Sequence, residues 1–290
     1  MNLIPIFLDF SHIYEQQVQL DGIAHVMIDC SDIPGTNGYC DEAAAIEIRQ
    51  RLERHISAQK KESCGNLDEN SARLLFTDNG NYHYVSNIRA GMIDAPFDMI
   101  VFDHHTDMQP PRFGGLMSCG SWIRDTLLGN RMLGQVIIIG PSNVDRADDN
   151  AEDNAEDNAE DNAEDNAAGI EDIVEKYSDR VIFLSENEPD IADKITRRLA
   201  SSAKLQGNRK VFISIDKDVL SKDECPTNWD QGDMSFENMK IILGDIINSG
   251  REICRIDVCG EPEPEASSSD IAKSGDINMQ IVCFLQKCLK

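Results

Sequence analysis

Two apolar runs in this chain lead directly into carboxylates. Phe97–Phe102 (FDMIVF) is followed by Asp103-His104-His105-Thr106-Asp107, and Val211–Ile215 (VFISI) by Asp216-Lys217-Asp218. A short apolar run of this kind reads as a buried strand. Residues two apart on a strand share a face. If the extension continues, Asp103, His105 and Asp107 point one way, as do Asp216 and Asp218, while Lys217 points the other way. Carboxylates gathered at a buried sheet edge repel one another unless a cation or protons hold them. Metal is therefore the economical reading, with His83 of Gly80-Asn81-Tyr82-His83 as a further ligand candidate.

The remainder alternates strand and helix patterns. Strands are expected at Ile4–Leu8, Ala24–Ile28, Arg73–Thr77, Met99–Phe102, Gln135–Ile139, Val181–Leu184, Val211–Ile215 and Ile253–Val258. Helices are expected at Glu42–Ser57, where Ala45, Ile48, Leu52 and Ile56 recur at helical spacing, at Ser235–Asn248 with Gly250 just beyond it, and at Ile271–Leu289. Alternating units of this kind predict a three-layer α/β/α fold with a mostly parallel central sheet. The chemistry of such sheets lies outside the carboxyl ends of the strands. The chain reads as one domain over residues 1–290. Ile28–Asp41 reads as a strand exit, a turn-rich loop and a helix start, a plain connector in the first reading and a cover over the site in the second.

Residues 147–166 are a low-complexity acidic insertion, an Ala-Asp/Glu-Asp-Asn tetrapeptide in five copies with ten acids and no base. Asp and Asn are poor helix formers, and like charges four residues apart repel. A disordered surface loop between a strand and a helix is expected there, a tolerated expansion because long insertions cost little. It supplies part of the net charge of -25, which argues against nucleic acid and anionic membranes as partners. No apolar stretch approaches the roughly 20 residues of a membrane span. The N-terminus lacks a secretory pattern, and nine scattered cysteines without a C-x-x-C pair suit buried thiols in a reducing cytoplasm.

Four aspartates and two histidines form a hard, oxygen-rich donor set. It suits Mn²⁺ better than structural Zn²⁺, and other divalent ions remain open. Six ligands exceed one tetrahedral ion and fit two ions sharing carboxylates about 3.5–4 Å apart. Such a pair lowers the pKa of a water held between them, so hydrolysis is the expected chemistry.

The order Gly-x-x-His, Asp-x-His-x-Asp, Ser-x-Asp-x-Asp, carried here by Gly80–His83, Asp103–Asp107 and Ser214–Asp218, resembles that of the ureohydrolase superfamily of arginase, agmatinase and formimidoylglutamase. The resemblance implies an arginase-like fold. It implies two manganese ions, with Asp103 and Asp216 bridging, His83 and Asp107 on one ion, and His105 and Asp218 on the other. It also implies that metal-bound hydroxide attacks a carbon–nitrogen bond of a small linear amidine, guanidino or amide substrate. Asp107 would manage the proton, and Glu261 in Asp257-Val258-Cys259-Gly260-Glu261 would grip a cationic end. Homo-oligomers are expected as a possible state. The chain departs from the pattern at Ser221-Lys222, where Asp-Pro would stand, and in Leu116–Trp122, which has no histidine. The expected substrate is accordingly a linear amidine, ureide or amide other than arginine. Three alternatives stay open: a DHH-type manganese phosphoesterase, suggested by Asp103-His104-His105; a deacetylase-like amidohydrolase; and a metal-binding relative without catalytic activity.

Overall fold

The computed structural model describes residues 3–62, 73–142, 169–186, 188, 190–206 and 209–289. Eight strands form one parallel sheet. In chain order they are β1 (Ile6–Asp9), β2 (Val26–Asp29), β4 (Leu74–Phe76), β5 (Phe97–Phe102), β7 (Leu133–Ile139), β8 (Val181–Leu184), β9 (Lys210–Asp216) and β10 (Ile253–Cys259). Their order across the sheet is β2-β1-β4-β10-β9-β5-β7-β8, and each pairing is parallel. A small antiparallel pair, β3 (Tyr39–Cys40) with β6 (Met117–Ser118), stands apart. All eight expected sheet strands are present, with ends that differ by up to about two residues from the sequence reading. The insertion at 147–166 lies outside the described residues.

Burial on both sides of the sheet explains why the central strands read as unbroken apolar runs. Along β5, Ile100 and Phe102 join one core, while Met99 and Val101 join the other. The first core is completed by α5 (Ile191–Gln206), α6 (Phe236–Ile247) and α7 (Ser268–Cys288), through Leu199, Leu243 and Leu285 among others. The second is completed by α1 (Glu42–Glu62), α2 (Val85–Ala90) and α3 (Trp122–Gly129), through Leu52, Ile88 and Leu127, and by Ile173 of α4 (169–176). The three layers are therefore helices, sheet, helices. No helix among the described residues is long and apolar enough to cross a membrane.

Helix boundaries follow side-chain chemistry. Ser235 and Ser267 precede α6 and α7, and their hydroxyls accept the backbone N–H of Asn238 and Asp270. The parity of β9 matters most for the site. Val211, Ile213 and Ile215 face the α5–α7 layer, whereas Phe212 faces the α1–α3 layer. Ser214 shares the Phe212 side.

The carboxyl ends of β10, β9 and β5 lie side by side, with Cys259 in register with Asp216. Gly260 follows with φ +93°, and a Cβ there would sit 2.5 Å from Asp216 Oδ1 and 2.8 Å from the Lys217 nitrogen. Gly260→Ala is thus expected to destabilise the protein by about 2–5 kcal/mol, the sum of left-handed strain and overpacking. Urea unfolding of the metal-free variant measures it; a loss below ~1 kcal/mol would show that the β10 end yields freely.

Candidate metal centre

His83, Asp103, Asp107, Asp216, Asp218 and His105 converge on the floor of one cavity of about 510 Å³. The convergence has a different local cause from the one expected. β5 stops at Phe102, so Asp103–Asp107 do not continue as a strand. They bend, with the His105 N–H donating to Asp103 Oδ1 (2.6 Å) and Asp107 held at φ 47°. Asp216 ends β9, and Asp218 lies in a single 3₁₀ turn whose N–H donates to Asp216 Oδ1 (3.0 Å). In each segment the residue two beyond the first acid donates its N–H back to that acid's side chain.

His83 is 2% exposed and its Nδ1 faces carboxylates: Asp107 at 3.0 Å, Asp103 at 3.4 Å and Asp216 at 3.4 Å. Its Nε2 lies 2.9 Å from Ser214 Oγ. From there a buried chain runs through Ser86 Oγ to Asp257 and on to Arg89 of α2. His105 presents Nδ1 to Asp218 at 2.9 Å and Asp103 at 3.6 Å, while its Nε2 meets Asp230 at 3.1 Å. Asp103 is the member common to both groups. Asp107 Oδ2 also accepts from Trp122 Nε1 at 2.6 Å, and the Trp122 ring packs beside His83.

These carboxylates are held under electrostatic stress. Burial, then the charges of Asp107 and Asp218, push the Asp103 carboxyl well above its usual range. Burial and Asp216 push Asp218 up to about 7. Burial works against a charged His83 ring, but Asp107, Asp103 and Asp216 outweigh it and carry the ring up to about 9. His105 is likewise raised, by Asp103 and Asp218 against burial.

The residues fit divalent cations. Asp103 Oδ2 is buried without a hydrogen-bond partner, so it has an open position for a cation. Both histidines aim one nitrogen at the carboxylates and rest the other on an oxygen-bearing side chain, the arrangement that orients metal-binding imidazoles. Two donor groups sharing Asp103 match two ions.

Glu261 is elsewhere. It is fully buried, takes Lys217 Nζ at 2.6 Å, and accepts from Gln17, Ser274 and Asn278 at 2.6–2.8 Å. It does not line the cavity. The left-handed turn at Gly260 sends the chain into the α7 layer, so the expected grip on a cationic substrate end is not made by this residue. Lys217 does face away from Asp216 and Asp218 as the alternation implied, and its partner is Glu261.

Asn37, Gly38 and Tyr39 line the cavity, so the loop read as a plain connector is one of its walls. That wall is fixed by β3 pairing with β6, a contact with no local signature. Trp229 in the cavity wall, and Trp122 and Asp230, which bond Asp107 and His105, were likewise not anticipated, since nothing in their own neighbourhoods marks them. Cys119 also lines the cavity, and burial pushes its thiol up to about 12, which makes it a poor nucleophile.

No protein-family model matches the chain. It is 26% identical over 278 residues to an uncharacterized protein from Thermotoga maritima, covering 96% of this chain and 88% of that one. Solved structures give a sharper comparison. Formimidoylglutamase from Bacillus subtilis superposes with a TM-score of 0.61 at 13% identity, covering 99% of this chain and 87% of that one. Arginase from Bacillus caldovelox does so with a TM-score of 0.60 at 12% identity, covering 97% and 98%. The chain has the ureohydrolase fold. Proclavaminate amidino hydrolase from Streptomyces clavuligerus, at 0.59 and 13% identity over 99% and 93%, shares it. At these identities the likeness is one of fold.

The site's electrostatics set a pH signature for the chain without metal. Asp218, raised from 3.8 to about 7, contributes stability that is complete below 3.8 and lost as pH rises through about 7. His83, raised from 6.5 to about 9, contributes stability complete below 6.5 and lost as pH rises through about 9. Both signs agree. The Tm of chelator-treated protein should fall as pH rises across that window, less steeply in Asp218→Asn, and added divalent metal should restore most at the alkaline end. A Tm that climbs with pH in wild type and Asp218→Asn alike would contradict this.

Proposed function

We propose that this protein is a binuclear metal hydrolase that cleaves a carbon–nitrogen bond of a small linear amidine, ureide or amide. The observation that carries the proposal is the pair of histidine–aspartate groups sharing Asp103 at the floor of a cavity. His83 and Asp107 would hold one ion, His105 and Asp218 the other, with Asp103 and Asp216 between them. The oxygen-rich set favours manganese. When bound, such a pair acts as a Lewis acid and lowers the pKa of a water.

The chain's own residues supply the rest. Asp107 lines the cavity and takes the proton from the attacking water. Trp122 keeps that carboxylate oriented through its Nε1–H. Ser214 fixes the His83 ring, and Asp230 fixes His105. The acids lining the cavity among the described residues are the four proposed ligands, and Arg112, exposed at the rim, is its cation. A cationic substrate end therefore finds no uncommitted carboxylate, so a neutral reacting group with a neutral or acidic remainder is favoured. This separates the substrate from arginine and agrees with the displacement of Glu261.

Metal analysis after manganese loading tests the centre. Wild type should retain two ions per chain, and Asp103→Ala and Asp216→Ala fewer; less than one ion in wild type defeats the binuclear reading. Release of ammonia, urea or formamide from formimino, ureido and amide compounds, beside a phosphodiester panel, tests the chemistry. Turnover confined to phosphodiesters would replace the proposal with a phosphoesterase. Arg112→Gln should raise KM for acid-bearing substrates about tenfold, the low end for a charged hydrogen bond because the residue is exposed, and leave neutral ones unchanged.

A further inference from the structure

Cys259 closes β10 and has no part in the chemistry above. Its register partner on β9 is Asp216, so the two side chains emerge at the same level of the sheet. Cys259 is 2% exposed, and its Sγ donates to Asp216 Oδ2 at 3.0 Å. That same oxygen is 3.4 Å from His83 Nδ1. His83, Asp216 and Cys259 each offer a donor atom, and the three atoms lie within 4.8 Å of one another, all from buried residues. Asp103 Oδ2, the buried oxygen without a hydrogen-bond partner, is also 3.4 Å from His83 Nδ1. One nitrogen, one oxygen and one sulfur therefore lie together beside His83, and Asp103 Oδ2 approaches the same nitrogen. Near His105 the corresponding donors are nitrogen and oxygen only.

Resting on the metal-centre reading, we propose that Cys259 is a sulfur ligand of the ion held by His83, so that the two halves of the centre differ in metal preference. A thiolate is a soft donor that selects zinc or ferrous iron over manganese, whereas carboxylate and imidazole alone do not. The His83 half is then a mixed nitrogen, oxygen and sulfur site, and the His105 half stays hard. On binding, the Cys259 S–H proton leaves to solvent, and the sulfur lone pair forms the bond to the ion; no electron is transferred and no oxidant is needed. Asp216 Oδ2 exchanges a thiol donor for the cation.

Cobalt(II) reports a sulfur ligand directly. Full-length protein, stripped with a chelator and reconstituted with cobalt, should show a near-ultraviolet sulfur-to-cobalt charge-transfer band. Cys259→Ser and Cys259→Ala should lose that band and still bind cobalt through the His105 half, giving weak visible bands. Cys119→Ser, which removes the thiol that lines the cavity, should keep it. In competition experiments, Cys259→Ser should lower zinc affinity by at least the roughly 10–100-fold that loss of a mere outer-shell partner costs and leave manganese affinity unchanged. Circular dichroism confirms that each variant is folded, and the wild-type band stands as evidence if a variant is not. Cobalt bound to wild type without the band, or a band that survives Cys259→Ser, overturns the assignment while leaving the metal centre intact. No cobalt bound to wild type overturns both.

Discussion

Four buried aspartates crowded around two histidines form the constraint on which the rest of this structure depends. Charged carboxylates this close are costly in a low-dielectric interior. The chain offsets the cost in part by raising Asp103 and Asp218 and by keeping His83 and His105 as cationic neighbours. An oxygen of Asp103 still has no hydrogen-bond partner. The centre is thus a crowd of buried acids whose repulsion folding bears, and which bound cations would relieve under the proposed function.

That stress explains how firmly the surroundings are built. From the α1–α3 layer, Trp122 fixes Asp107, and the Ser214–Ser86–Asp257–Arg89 chain fixes His83. From the opposite layer, Lys217 is anchored by Glu261, Ser274 and Asn278, all fully buried. Lys217 stands between two of the site's acids, so this ion pair sets the course of the backbone that carries both. Removing one member of such a pair leaves an uncompensated buried charge, commonly at about 3–5 kcal/mol. Both helical layers therefore hold the sheet edge rigid against its own repulsion.

The strands were legible because burial on both faces demands unbroken apolar residues, and that pattern is local. The acids at the ends of β5 and β9 were legible for the same reason: a charge directly after a buried strand stands out. Glu261 was misread because Gly260 looks like any turn glycine in sequence, while in the fold its φ of +93° and its contact with Asp216 redirect the next residue. The bend at Asp103–Asp107 was read as extension, since backbone bonds from a side chain two residues away leave no periodic trace. The cavity wall at Asn37–Tyr39 depends on a two-residue strand pairing with one near residue 117, a separation no local pattern spans.

The chain written out as letters determined that acids and histidines follow directly on two buried strands, because residue type and hydrophobic periodicity are local properties. Only the tertiary structure decided how those residues divide: Asp103 shared between two histidine groups, Cys259 brought against Asp216, and Glu261 taken away to neutralise Lys217. Those outcomes depend on strand order and on the direction of one glycine turn. Both arise from packing between segments far apart in the chain.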